Sequence, residues 1–444
     1  MGRRFVCFCN SFARHFRLLT RDVSPQSQQY LCGLMQARKK NMERMAEVVP
    51  DSDEQVLQHF LSNSNWEARA VVDQVAMEAD AVLGGAADSA LLIDESGITK
   101  KGKKSVGVAR QWNGRLGKVD NCQVGVYAAL SRGRFSTLID ERLYLPKEWV
   151  NDKARCAAAK IPPAARKLKT KPELAVEMVR NSRRLGVRFS WVGADGAYGS
   201  DPAFLRALEA DGETFMVDVH KDQHIYLDDP KPAIPVQSSG RGRTPKQRVA
   251  QCEPVRVDRW LEGQPDSAWR PLVLRDSTKG KLQVEVLHRR VWVWDNKEAQ
   301  AREWHLMVRR EVKARDEIKY GLSNAPAETS VHRLAQMQGQ RYWIERSFQD
   351  GKSQAGLDHY QVRGWKAWHH HMALVMMAML FMLQERIDQH EEHPLLSCAD
   401  IETLLAHFLP RRDVGVEEVI RQLEVRHQKR RASIDSAYAN QKLV

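Results

Sequence analysis

Between Ala90 and Val219 the hydrophobic period switches repeatedly between two residues and about 3.6, and that order leaves few possible folds. ALLID reads as a short buried strand ending at Asp94, followed by ESGITKKGKK, a polar turn centred on Gly102. SVGVARQWN, NCQVGVYAALS and RFSTLIDERLYLP follow with turn signals between them, which predicts a three-stranded meander. TKPELAVEMVRNSRRLG then takes helical spacing, with Thr170 placed to cap it and Gly186 to stop it. VRFSWVGAD is a new strand ending at Asp195, SDPAFLRALEADG a second helix with a Ser-Asp-Pro start, and TFMVDV a further strand. Strands, helix, strand, helix, strand in that order predict an α/β domain with a mixed sheet.

The flanks differ in pattern. The first 85 or so residues carry apolar positions at three- and four-residue spacing, broken by Pro50-Asp51-Ser52-Asp53, and read as a helical region over 1–86. That region is either a plain bundle or a domain that binds DNA ends, and the basic run Arg38-Lys39-Lys40 suits both. After the α/β segment (87–220), residues 221–325 break the rhythm. Lys231 to Arg248 is basic and rich in Pro, Gly and Ser, an exposed loop, and KLQVEVLHRRVWVWD and EWHLMVRREV look like strands of a small sheet. Helical sequence resumes over 326–390, including the apolar run Met372–Leu383, and a helical, basic tail (391–444) ends in RHQKRR. That apolar run is far shorter than the ~20 residues needed to cross a bilayer, and the N-terminus has no signal-peptide core, so a soluble protein is expected.

With 444 residues, the chain has room for two to four domains. Seven cysteines without zinc spacing make a disulfide scaffold or zinc finger improbable and fit a reducing cytosol. A net charge of +13 favours a polyanionic partner, because Lys and Arg gain free energy by displacing counterions from phosphates. Against this basic background three acids stand out by position: Asp94 and Asp195 at strand ends, and Glu345 on the helix after the interruption. Loops at the carboxyl edge of a sheet form its crevice, and three carboxylates gathered there are costly without a cation. Such an oxygen donor set suits Mg²⁺ or Mn²⁺, which also binds phosphates. Arg341, Glu345 and Lys352 fall within about 40° of one another on a helical wheel, a carboxylate flanked by two cations on one stripe.

LLIDESGITKKGKKSVGVARQWNG, NCQVGVYAAL, DERLYLPKEW, TKPELAVEM, GADGAYGSD and IERSFQDGKSQAGLDHYQVRGWKAWHHHMALVMMAMLFML together resemble a bacterial insertion-sequence transposase of the DDE superfamily, in the branch with a Tyr–Arg–Glu–Lys signature. Arg341, Glu345 and Lys352 match R-x3-E-x6-K, whereas the signature tyrosine falls at Gln338. The resemblance implies a ribonuclease-H-like catalytic domain interrupted by a β-rich insertion, with Asp94, Asp195 and Glu345 as catalytic metal ligands. It implies cut-and-paste transposition: Mg²⁺-dependent cleavage at the element's ends, then attack of the freed 3′-OH on target DNA, with hairpins formed on the way in related enzymes. Double-stranded DNA is the implied partner, a homodimer in the DNA complex the implied assembly, and the bacterial nucleoid the implied place of work. Trp292, Trp294 and Trp304 are candidates to stack on a flipped base, although each taken singly reads first as β-sheet core. Lys100, Lys101, Lys103 and Lys104, read as a turn beside Asp94, and Arg241, Arg243, Lys246 and Arg248 in the loop are candidate phosphate contacts.

Other readings are a nuclease of the same fold that cuts without joining, and a DNA-binding protein without catalysis. An aspartyl phosphatase needs a second Asp two residues after Asp94, where this chain has Ser96. His369-His370-His371 make a poor chelate, since consecutive helical residues diverge, and are read as structural or DNA-facing. Asp140 and Glu141 are expected to pair with Arg142 or neighbours, and Asp201 to start a helix.

Overall fold

The computed structural model describes residues 1–235, 246–277 and 280–441. Its contacts divide it into two compact units, one of 1–71, 350–362 and 366–444 and the other of 72–349 and 363–365.

The larger unit is built on a ten-stranded mixed sheet. Its strands are β1 (Ala90–Thr99), β2 (Ala109–Asn113), β3 (Lys118–Arg132), β4 (Phe135–Leu143), β5 (Trp191–Ala194), β6 (Phe215–Val219), β7 (Arg270–Ser277), β8 (Gly280–Val293), β9 (Arg302–Glu311) and β10 (Ala314–Ser323). They lie in the order β2-β3-β1-β5-β6-β10-β9-β8-β7, with β4 also paired to β3. β1–β5 and β5–β6 are parallel and the other pairs antiparallel. The meander β2-β3-β4 and the α/β alternation follow the sequence reading. So does the helix Lys171–Arg184, which starts with a capping box in which Thr170 and Glu173 each satisfy the other's backbone N–H.

Two expectations are corrected. β1 does not stop at Asp94 but runs on to Thr99, because ESGIT keeps antiparallel register with β3 as far as Thr99↔Cys122. Gly97 leaves room there for the Asn113 side chain, whose Oδ1 would lie 2.7 Å from an added Cβ. The interruption, moreover, is not a separate small sheet. β10 pairs with the free edge of β6 from Ser323↔Met216 to Tyr320↔Val219, so β7–β10 extend the main sheet. Asn324 secures the join, accepting from the Phe215 amide at 2.7 Å and donating to the Glu213 carbonyl at 2.9 Å. An exposed β6 edge would be left with unpaired backbone groups, and β10 removes that liability.

The smaller unit is helical. The apolar run Met372–Leu383 lies inside the helix Trp365–Asp388 and is buried throughout. Phe5 meets Phe381 edge-on at 5.0 Å and Phe8 packs on it at 5.4 Å. Each such side chain taken fully out of water contributes roughly 1.5–3 kcal/mol. Among the described residues no helix is long and apolar enough to cross a membrane. The expected second catalytic segment, 326–390, is therefore divided: from Asp350 on, apart from 363–365, it packs with the N-terminal helices.

Two of the three consecutive histidines are structural. His370 stacks on Trp66 at 3.7 Å, with its ring nitrogens 2.9 Å from the carbonyls of Leu61 and Trp66, and burial lowers its pKa to about 4. His371 lies between the Tyr30 hydroxyl (2.8 Å) and the Gly356 carbonyl (3.1 Å). The basic run Arg38-Lys39-Lys40 is split: the first two residues are exposed, while Lys40 is 1% exposed and paired with Glu402 at 2.6 Å. Glu402→Ala leaves that ammonium buried with only the Ala37 carbonyl for company. The expected cost is about 3 kcal/mol, a fall in melting temperature on the order of 10 °C. A thermal melt matching the wild type would show that the pair contributes no net stability.

Candidate active site

Register places the acids. In the parallel pairs, Ile93 lies opposite Ala194 and Ala194 opposite Val217. One residue further on, Asp94, Asp195 and Asp218 therefore form a row across three adjacent strands, at about 4.8 Å per strand. This is the carboxyl edge of the parallel part of the sheet, where side chains leaving the strands open into a crevice. Asp195 also caps the one-turn helix Gly196–Gly199, its Oδ1 accepting from the Ala197 amide at 3.0 Å. That helix can sit against β6 only because residue 199 is glycine, since an added Cβ would lie 2.0 Å from the Asp218 carbonyl oxygen.

Arg341 organises the row. It is the junction between the helices Val331–Gln340 and Tyr342–Ser353 and keeps helical backbone angles. Its guanidinium reaches Asp218 Oδ2 at 2.9 Å, Glu345 Oε1 at 2.9 Å and Asp94 Oδ2 at 3.4 Å. Burial opposes its charge, but Asp218, Asp94, Glu345 and Asp195 outweigh burial and raise its pKa. The reverse holds for the acids. Burial, then repulsion from Asp195, raises the Asp94 carboxyl to about 7, against the pull of Arg341 and the Glu95 amide. Burial likewise raises Asp195, again with Arg341 opposing.

The sequence-predicted residues Asp94, Asp195, Arg341 and Glu345 are thus brought together. Glu345 is half exposed and held by Arg341. Among the described residues no three His, Cys, Asp or Glu side chains stand close enough to hold a metal ion as they are. The Asp94–Asp195 pair nonetheless fits a hard divalent cation. It is all oxygen, and its mutual repulsion is what a cation relieves.

Sequence reading missed three contributors. Asp218 lies inside TFMVDV, one residue past the parallel register that pairs Ala194 with Val217. Gln338, which stands where the family signature has tyrosine, is 3% exposed and donates from Nε2 to Asp218 Oδ1 at 3.3 Å. It fits over Gly321, where an added Cβ would come within 3.0 Å of that amide. Glu95 pairs with Lys171 and accepts from the Tyr198 hydroxyl at 3.2 Å, and its charge adds to the repulsion that raises Asp94 and Asp195.

The other candidates are dispersed. Because β1 continues to Thr99, Lys100, Lys101, Lys103 and Lys104 lie about 20 Å along the strand from Asp94 rather than beside it. Arg241 and Arg243 fall outside the described residues. Lys246 is exposed, and Arg248 donates to the Pro232 carbonyl at 3.1 Å. Trp292 is half-buried and bridged through its backbone to Tyr226. Trp304 is core, edge-on to Phe215 at 5.1 Å. Trp294 is half-buried, donates to the Glu298 carbonyl at 3.0 Å, and shares with Trp304 the wall of a cavity of about 490 Å³. Lys352 belongs to the helical unit. Asp140 pairs with Arg142 at 2.5 Å and Asp201 caps the helix Pro202–Ala210, both as the sequence suggests.

Comparison with known proteins adds to this geometry. A probable transposase for insertion sequence element IS701 from Microchaete diplosiphon is 29% identical over 232 residues, which cover 50% of this chain and 56% of that protein. The chain thus spans little more than half the length of that relative. The family described as DDE superfamily endonuclease matches residues 11–281, more than half of the chain, a stretch that holds Asp94, Asp195 and Asp218. By that match, the chain belongs to the DDE superfamily endonucleases.

Proposed function

We propose that this protein is a transposase that cuts DNA at the ends of an insertion sequence element and joins the freed 3′ ends to target DNA. The observation that carries the reading is the acid row at the sheet edge with Arg341 holding Glu345 beside it. Family membership and the likeness to an insertion-sequence transposase support it.

Endonucleases of this superfamily generally use divalent metals. Asp94 and Asp195, with Glu345 as a third ligand, would hold Mg²⁺, with Mn²⁺ as a substitute. When bound, the metal supplies Lewis-acid stabilisation of charge developing around the phosphorus. The chain's own residues do the rest. Gln338 and Arg341 fix Asp218 and aim the carboxylates. Arg341 holds Glu345 at the row, where a bound metal would take it as a ligand. Lys352, two turns further along the same helical stripe, contacts the phosphate backbone of the element end. Trp294, on the wall of its cavity, is the first of the three tryptophans we assign to an unstacked base. The helices of 1–86 and the exposed lysine turn at 100–104 contribute DNA contacts, and two copies of the chain hold the two ends.

The test is a plasmid carrying the element's own flanking ends, incubated with the protein in Mg²⁺ or in EDTA. Metal-dependent nicks at the ends together with joined products are expected. Nicks without joining would make the protein a nuclease of the same fold. End binding without cleavage in either condition would leave only a DNA-binding protein.

A further inference from the structure

β2 and β3 run on past the end of β1 as a two-stranded ribbon. Thr99, the last residue of β1, lies opposite Cys122, whereas β2 stays paired with β3 from Ala109↔Cys122 out to Asn113↔Lys118. Gly114–Leu116 closes the ribbon with Gly117 in the left-handed region, at φ 60°. Large apolar side chains are carried into water there. Trp112 and Val119 face each other across the two strands, 55% and 50% exposed, and Leu116 at the turn is 45% exposed. Single exposed apolar residues are ordinary, but a cross-strand pair with a third at the tip of the same hairpin is a surface built for contact.

Strand alternation puts Arg110, Trp112, Val119 and Asn121 on one face of the ribbon, and Gln111, Asn113, Lys118 and Asp120 on the other. Asn121 ties the lysine turn to the first face, its Nδ2 donating to the carbonyls of Lys100 at 2.6 Å and Gly102 at 2.9 Å. Arg155 Nη2 holds the same turn by the Lys103 carbonyl at 2.7 Å. The turn's backbone is pinned, while the side chains of Lys101, Lys103 and Lys104 are exposed, as is that of Arg110. The ribbon's acid, Asp120, lies on the opposite face and accepts from the Thr99 hydroxyl at 3.2 Å. An indole bordered by cations complements duplex DNA, where phosphates flank stacked bases. A second copy of the chain is a poor occupant, because a two-fold contact would set these cations against themselves.

The ribbon leaves from the edge of the sheet that carries the acid row. Val119 precedes Tyr127, the partner of Asp94, by eight residues, a reach of about 25 Å. Along B-DNA that is about seven base pairs. We propose that the ribbon is a DNA wedge: Trp112, backed by Val119, enters the duplex and stacks on a base pair that it partly opens, while Lys101, Lys103, Lys104 and Arg110 hold the flanking phosphates. The inference rests on the proposed function in taking DNA as the polyanion and the acid row as the place of cutting.

The experiment titrates a labelled duplex carrying the element's end with the full-length protein in EDTA at several salt concentrations, and probes unstacked thymines in the complex with permanganate. Trp112→Ala is expected to bind about tenfold more weakly with the slope of log K against log[salt] unchanged, since an indole displaces no counterion. Trp112→Phe should recover most of the loss. Lys101→Gln/Lys103→Gln/Lys104→Gln should instead flatten the slope by about two to three. The wild-type complex should show a reactive thymine about seven base pairs from the end, absent with Trp112→Ala. All of these side chains are exposed, so melting temperatures should match the wild type. Unchanged affinity for Trp112→Ala, or a wild-type complex without a reactive thymine, overturns the wedge. So does a Trp112→Ala variant that changes only the sedimentation of the free protein, which would make the ribbon a protein contact. Because EDTA separates binding from chemistry, a wild type that binds and opens the duplex but never nicks in Mg²⁺ sinks the cleavage reading and leaves the wedge standing. A wild type that nicks, beside a Trp112→Ala variant of equal affinity, removes the wedge alone. A wild type that does not bind the duplex removes both.

Discussion

Arg341→Gln is expected to lower the stability of the metal-free protein by about 3 kcal/mol at pH 8 and by clearly less at pH 5.5. At pH 8 the substitution leaves Asp94, Asp218 and Glu345 without the guanidinium that faces all three. At pH 5.5 the Asp94 carboxyl, raised to about 7, already carries a proton, so less charge is left uncompensated. The sign follows from linkage. A carboxyl whose folded pKa lies above its unfolded value binds a proton preferentially in the native state. Stability therefore falls as pH rises from about 4 through 7. Removing Arg341 raises that folded pKa further and deepens the fall. Melts in EDTA at the two pH values measure it, and equal losses at both would mean that Arg341 stabilises by packing rather than by charge. Cleavage should fall as well, since Glu345 loses the contact that holds it.

Asp195→Asn should abolish metal-dependent nicking, by at least ~10³-fold or about 4 kcal/mol of barrier, while leaving DNA binding in EDTA intact. The same substitution should make the metal-free protein more stable at pH 8, by roughly 1 kcal/mol, because it removes the repulsion that helps to raise Asp94. The amide oxygen can still accept from Ala197, so the cap on Gly196–Gly199 survives. Lost activity with a higher melting temperature is hard to produce by misfolding, which makes the pair of readouts decisive. Near-normal nicking in the variant would remove Asp195 from the chemistry.

The sequence conveyed the site better where local pattern and topology coincide. Asp94 and Asp195 follow apolar runs of opposite flank, and their convergence needs only the rule that parallel strands share a carboxyl edge. Glu345 and Arg341 were legible from helical spacing. Asp218 was hidden because FMVDV looks like an ordinary alternating strand, and only the register of its neighbour Val217 with Ala194 reveals where the acid lies. The fate of the interruption was illegible for a similar reason. Nothing in KLQVEVLHRRVWVWD or EWHLMVRREV says whether their sheet is private or shared, because pairing of β10 with β6 depends on an edge a hundred residues away. Lys40 misleads in the opposite way: inside a basic run it looks solvated, and only the packing of Glu402 against it shows otherwise.

The pairing of β10 with β6 also sets a timetable for assembly. A chain emerging at ~10 residues per second has β6, with Asp218, in hand about ten seconds before its second neighbour exists. Contacts between such distant segments form slowly, because the intervening loop must close before the ladder rewards it. Gln338, Arg341 and Glu345 follow immediately behind β10. The strand that completes the sheet and the helix that carries Arg341 therefore arrive almost together, well after the aspartates. A nascent chain shorter than about 345 residues carries the aspartates without their guanidinium, so the acid row gains its counter-charge only once the sheet has its last neighbour beside β6.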